Sequence, residues 1–317
     1  MKIIYFENDE FFLSEEDKDN FYDVVGNSID DLKSDIQTQP QRLIQQIYSN
    51  EKFIYSDVLN KRGLHVYRSL LANNIYKKRN YSDNEEVHSL NDKGYFMIRD
   101  YLSDKEFNKL ESVFQQVKDK FPNGKHITAE VSNFFQNNQQ YFNLIKECAH
   151  VKNFSQDTFR GNPRSEFWYH MHTEEDSQFK FHSDTFQPTV KCWLYIEDIG
   201  ESQGAFGFVP FSNRHNKNRM IWDYENSNMK MGDKLWNKRI ESGGKPGSFR
   251  VCENSSVAEE REELSRLGFV ETMSMTAPKN TLLIANTFGF HKRGTGDVGS
   301  FRSTLTSQYR PVAFGVY

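Results

Sequence analysis

The stretch Asn280–Arg310, NTLLIANTFGFHKRGTGDVGSFRSTLTSQYR, carries two strand signals around one histidine. NTLLIANTF is a short, almost continuous apolar run, and RSTLTSQYR alternates with period two. Period-two alternation puts Arg302, Thr304, Thr306 and Gln308 on one face, and Phe301, Ser303, Leu305 and Tyr309 on the other. An arginine among hydroxyls on one strand face is expensive to bury unless an anion sits there. His291 stands between the two strands, with Arg302 eleven residues after it.

Working outward, the texture from about Ser165 is a succession of short strands. EFWYHMH, the turn-like TEEDS and QFKFH read as a hairpin. TVKCWLYIEDI, GAFGFVPF and TMSMTAP bring the strand candidates to seven, a density that suggests a barrel or sandwich. Upstream, GYFMI (94–98) is a further short strand, and Ser103 with Glu106 is a capping box opening a helix to about Lys120. The first ninety or so residues read as a polar, helical extension, with YSDNEEVHSLND as a loop at its end. Between Phe211 and Phe269 lies an insertion of different character. Ser256 and Glu259 form a second capping box there, and the helix they open passes Leu264 and Leu267 and stops at Gly268. Long insertions in compact domains are commonly lids or binding loops.

Composition sets limits on function. With 317 residues there is ample material for a core, and 15% aromatics against 37% hydrophobics mean that Phe and Tyr fill much of it. A net charge of −4 with no basic run gives no reason to expect nucleic-acid binding. No stretch approaches transmembrane length, so no membrane partner is expected. Cys148, Cys192 and Cys252 are sparse and odd in number, which suits a reducing, cytoplasmic setting.

The chemistry-bearing residues are His182 and Asp184 at the end of QFKFH, with His291 far downstream. Residues two apart on a strand point the same way, so one imidazole and one carboxylate converge. Two histidines and a carboxylate make the facial triad of non-haem iron(II) oxygenases, which leaves open positions for a 2-oxo acid and dioxygen. Taken alone, H-x-D is also the pattern of an ordinary strand end. On the RSTLTSQYR strand, Arg302 with Thr304 beside it suits the far carboxylate of 2-oxoglutarate, and a salt bridge within the protein is the alternative. His170 and His172, as H-M-H, are a rival cupin-like pair. Tyr169, Lys191 and Trp193 lie on strands that flank the mouth. Arg160, Arg164, Arg250, Lys292 and Arg293 would suit an anionic substrate.

These motifs, in this order, resemble the phytanoyl-CoA dioxygenase family over about residues 90–317. GYFMIRDYLSDKEFNKL is similar to its opening strand and helix and FHSDTF to its H-x-D motif. VKCWLYIEDIGESQGAFGFVPFSNRH is similar to the glycine-led strand and Pro turn, and NTLLIANTFGFHKRGTG with Arg302 to the distal histidine and cosubstrate arginine. The resemblance implies a mainly β chain with flanking helices, built as a double-stranded β-helix, or jelly-roll barrel, over 91–317. The region before Asp92 has no counterpart in the family pattern; from the sequence itself, residues 1–90 are expected to be a helical extension packed on the barrel, and 212–268 an insertion acting as a lid. The resemblance implies Fe(II) on His182, Asp184 and His291, with 2-oxoglutarate held by Arg302 and Thr304. Dioxygen and a small, carboxylate-bearing metabolite would be the other reactants. Hydroxylation of an unactivated C–H bond is the outcome expected first, cyclisation or desaturation second, and a non-catalytic binding barrel is the reading from another class. Departures from the family pattern are Phe211-Ser212-Asn213-Arg214-His215 in place of its Gly-Ser-His turn, and Arg293 two residues after the distal histidine. Asp184 is retained, which argues against halogenation.

Overall fold

The structure is a computed structural model, and it describes residues 85–122, 164–171, 181–184, 188–227, 257–269 and 271–309, with 6–7, 10–11, 65–66, 69 and 137 besides. Among the described residues, three separate sheets are formed. At the N-terminus, β1 (Phe6–Glu7) and β2 (Glu10–Phe11) make a small antiparallel pair. Helix α1 (Glu85–Asp92) follows where a loop is expected. The reason lies in Val87 and Leu90, three apart and both buried, while Glu85 and Glu86 sit favourably at the helix start.

Strand β3 (Tyr95–Ile98) and helix α2 (Asp104–Lys120) form as expected, and the capping box is present: the Ser103 hydroxyl accepts from the Glu106 N–H, and the Glu106 carboxylate accepts from the Ser103 N–H. Then come β4 (Arg164–Met171), β5 (Val190–Tyr195), β6 (Phe206–Phe208), α3 (Lys217–Ser227), α4 (Val257–Arg266), β7 (Met273–Met275), β8 (Leu282–Asn286), β9 (His291–Arg293) and β10 (Phe301–Tyr309). One antiparallel sheet has the order β3-β8-β5-β10-β4, the other β7-β6-β9. Among the described residues no ladder closes them into a single sheet.

Of the expected hairpin between EFWYHMH and QFKFH, residues 172–180 lie outside the described residues. Strand β4 pairs with β10, from Phe301↔Met171 to Gln308↔Arg164, and His182 bridges His291. The long ladder along β10 holds β4 in the larger sheet and leaves the H-x-D segment for the edge of the smaller one.

Alternation divides the core. On one face of the larger sheet, Cys192, Leu194, Ile284, Leu282, Phe96 and Leu305 pack against Phe107, Leu110, Phe114 and Val117 of α2. On the other face, Trp193, Tyr195, Leu283 and Ala285 share a cluster with Phe206, Phe208 and Met275 of the smaller sheet. Full burial of each such side chain contributes about 1.5–3 kcal/mol, so these two layers hold the sheets and helix together. Gly94, at φ 91°, lets the chain pass so close to Phe208 that a Cβ there would lie 2.7 Å from the ring. A third cluster, Phe181, Val209, Trp222, Leu264, Leu267, Phe269 and Phe290, joins α3 and α4 to the strands that carry the two histidines. These helices are the described ends of the expected insertion, whose residues 228–256 lie outside the described residues. So does most of the expected 1–90 extension, though His65, Val66 and Ser69 are helical.

Candidate metal centre

His182 and His291 face one another across a single antiparallel bridge, each N–H donating to the other's carbonyl at 2.9 and 3.0 Å. Bridged residues carry their side chains on the same side, and the imidazole centroids lie 4.4 Å apart. Two residues on, the Asp184 N–H donates to the Thr287 carbonyl at 3.1 Å, which sets its carboxylate beside the rings. Asp184 Oδ1 lies 3.7 Å from His182 Nε2 and 3.5 Å from His291 Nε2. Among the described residues this is the group with metal-ligand composition, its three donor atoms all within 4.8 Å of one another.

The surroundings of two donors, His291 and Asp184, suit a cation. Gly289 O accepts from His291 Nδ1–H at 2.9 Å, so the neutral ring presents its lone pair at Nε2. Burial pushes the His291 pKa down; Asp184 draws it back up and His182 adds to the fall. Burial alone would raise the Asp184 carboxyl, but Lys191 and the two imidazoles outweigh it and hold the group well below the usual carboxylate range. Ligands at right angles around a metal, with bonds of about 2.1 Å, lie about 3 Å apart, so the observed spacing needs only a small inward rotation of each side chain. The donor set fits a divalent transition metal.

Lys191 of β5 places Nζ 2.6 Å from Asp184 Oδ2, on the oxygen turned away from the short imidazole contacts. The carboxylate is thereby divided, one oxygen toward the lysine and one toward the imidazoles. Phe206 stacks on His291 at 5.5 Å and meets Trp193 in a tilted contact at 4.5 Å, forming an aromatic wall.

Arg302 and Thr304 take the face that alternation assigns them. Arg302 donates to Gly204 O at 2.8 Å, and its charge reaches Tyr195, whose phenol burial pushes up and Arg302 draws partly back. Thr304 is buried, its Oγ1 3.4 Å from Thr306 Oγ1. Ser303, on the opposite face, donates to Glu197. Arg293 is buried and Lys292 binds Glu260, whereas Arg160, Arg250 and His172, and the side chains of Arg164, Tyr169 and His170, lie outside the described residues. His215 stacks on Phe288 at 4.7 Å and bonds the Ser69 hydroxyl at 2.8 Å.

Sequence reasoning missed the residues behind the centre. Ser183 donates to Phe288 O, Ser212 Oγ accepts from Phe290 N–H, and fully buried Arg219 donates to both Ser212 O and Phe288 O. Gly289 is fixed by space, since a Cβ there would lie 2.6 Å from the Phe208 ring. The Arg219–Asp223 pair has the i, i+4 spacing of a surface ion pair, and nothing local marks it as buried.

No family model and no curated protein matches the chain. Solved structures similar to it include HygX from Streptomyces hygroscopicus with nickel and 2-oxoglutarate bound (15% identity, 74% of this chain and 88% of that chain, TM-score 0.45). EctD from S. alaskensis with 2-oxoglutarate and 5-hydroxyectoine is 12% identical over 74% of this chain and 77% of its own, at TM-score 0.46. The carbocyclase SnoK from nogalamycin biosynthesis, described as non-heme and alpha ketoglutarate dependent, is 14% identical over 73% and 87%, at 0.42. Likenesses of this depth fix neither the fold nor the activity of this chain.

Proposed function

We propose that the chain is a non-haem iron(II) oxygenase that uses 2-oxoglutarate and dioxygen to oxidise a C–H bond of a small metabolite. The observation that carries this reading is the convergence of one donor atom each from His182, His291 and Asp184, all within 4.8 Å of one another. Two neutral imidazoles and one carboxylate on one side of a metal leave the other side for cosubstrate and oxygen. A structural zinc site would be closed by four protein ligands, and no fourth ligand joins this group among the described residues.

Two further features support the reading. Arg302 and Thr304 share a face of β10 that adjoins Tyr195 and Trp193, a placement suited to the far carboxylate of 2-oxoglutarate. From β5 onward, four of the five steps between consecutive strands cross between the sheets, with β6 to β7 staying within the smaller one, and such crossing suits the double-stranded β-helix that the family resemblance implies. Iron, when bound, would supply the activation of dioxygen coupled to decarboxylation of 2-oxoglutarate to succinate. The protein's part is to hold the ligands neutral or anionic as required, to anchor the cosubstrate by its carboxylates, and to present Lys191 and the aromatic wall to the substrate. A non-catalytic barrel has no use for the triad and Arg302 together.

The test is direct. Anaerobic protein with Fe(II) should develop a visible charge-transfer absorption on addition of 2-oxoglutarate, and should form succinate once oxygen is admitted. His291→Ala and Asp184→Ala should abolish both. A wild-type protein that binds no divalent metal, or variants that keep the absorption, would sink the reading.

A further inference from the structure

Helix α4 of the insertion carries Glu260, a carboxylate with only 2% of its surface exposed. Its two oxygens serve two different strands. One accepts from the Phe181 N–H at 3.0 Å, and the other from Lys292 Nζ at 3.1 Å. Phe181 is the residue before His182, and Lys292 is the residue after His291. The Lys292 ammonium also stands 4.3 Å over the Phe181 ring. A single buried side chain therefore joins the flank of one candidate ligand to the flank of the other.

On one side of the paired histidines, the Asp184 N–H donates to Thr287 O and the Ser183 hydroxyl to Phe288 O. Among the described residues the two histidines share one isolated bridge of two backbone hydrogen bonds rather than an extended ladder. On the other side of the bridge, Phe181 and Lys292 are joined through Glu260 and the Lys292–Phe181 contact, and both sides must be held for two imidazoles to keep the separation and twist that one ion requires. Strand alternation turns Phe181 and Lys292 away from the imidazoles, so Glu260 grips the pair from behind. Leu264 and Leu267, on the same helix, pack with Phe181 and Phe290 and anchor α4 there by apolar contact as well. Burying a carboxylate is costly unless it is paired and hydrogen-bonded, and Glu260 meets both conditions only while the two strands keep this spacing.

We propose that Glu260 is a positioning residue for the metal centre: it fixes the spacing of the two histidine-bearing strands and ties the insertion to them. The proposal rests on the iron reading above. Outer-shell partners of metal ligands typically alter metal affinity by 10–100-fold when removed, and Glu260 acts one residue away from each ligand, so the low end applies. Anaerobic titration with Fe(II), and with Co(II) as a spectroscopic probe, should show Glu260→Ala binding about tenfold more weakly, with an altered Co(II) visible spectrum. Glu260→Gln keeps an oxygen for the Phe181 N–H but loses the ion pair, and should fall between at about threefold. Lys292→Met, which keeps Glu260, should resemble it. A folded Glu260→Ala with wild-type affinity and spectrum overturns the proposal even if its melting temperature drops, since a merely structural role would lower stability alone. Should Glu260→Ala not fold, wild-type affinity in both Glu260→Gln and Lys292→Met overturns it. Failure of the wild-type protein to bind either metal overturns the iron reading and this one together. Binding by the wild type with no change in the variants overturns this one only.

Discussion

Asp184 shows how much of the candidate chemistry depends on single atoms. Its Oδ2 lies against Lys191 at 2.6 Å, and Oδ1 is shared between two imidazole nitrogens at 3.5 and 3.7 Å. A carboxylate so divided offers a metal one oxygen rather than two, which keeps the opposite side of the ion open. Arg302 is the other decisive residue. It is partly buried, donates to Gly204 O, and is the candidate anchor for the far carboxylate of 2-oxoglutarate. Removing a charge-assisted pair in a partly desolvated pocket costs about 2–5 kcal/mol, or roughly thirtyfold or more in affinity. Arg302→Ala should raise the 2-oxoglutarate requirement by that factor while leaving metal affinity intact, and Arg302→Lys should recover only part, because a point charge lacks the planar fork. An unchanged 2-oxoglutarate dependence in initial-rate measurements would make Arg302 a brace for Gly204 and nothing more.

At the scale of elements, helix α3 is a buttress for the segments that carry the candidate ligands. Arg219 is fully buried, donates to Ser212 O at 2.8 Å and Phe288 O at 3.1 Å, and lies 4.2 Å from the rings of both Phe288 and Phe290. Its partner Asp223 is 3.3 Å away. Burial pushes the Arg219 pKa down and the Asp223 pKa up, and each charge draws the other back. Removing one member of such a pair strands the other, a loss of about 3–5 kcal/mol. Arg219→Met should therefore lower unfolding free energy by about that much in urea titrations at neutral pH. The sign with pH follows from the raised Asp223 pKa. A carboxyl harder to ionise when folded favours the folded state at low pH and loses that contribution as pH rises, so the deficit should shrink on acidification. A deficit that is small at neutral pH, or that grows in acid, would contradict this role.

At the scale of the molecule, the insertion is fastened to the back of the centre by both its described ends. Helices α3 and α4 pack on Phe181 and Phe290, so the residues between them leave and return close to the strands that carry His182 and His291. The expectation that the insertion partly covers the site and selects the substrate falls on residues 228–256, outside the described residues. Limited proteolysis within 228–256 should slow when metal, 2-oxoglutarate and a turned-over substrate are present together. Cleavage that ignores every productive ligand would remove the lid from the account.

Much of this was legible in the chain itself, wherever a local rule decides the outcome. Ser103 and Glu106 announced α2 because a capping box needs only residues three apart, and alternation placed Arg302 and Thr304 on one face because the strand period is two. The convergence of His182 and Asp184 followed from the same period. Where the outcome depended on what packs against a segment, the chain by itself misled. EEVHSLND reads as a polar loop, and becomes helix α1 only because Val87 and Leu90 find a surface to bury against. Nor does the chain by itself show that EFWYHMH ladders with β10, or that His182 at the end of QFKFH meets His291 across the fold. Arg219 and Glu260 look like ordinary charges on helices, with neighbours at surface spacing. Their burial, and the strands they grip, belong to the tertiary structure, because desolvation is set by residues far away in sequence and no local pattern encodes it.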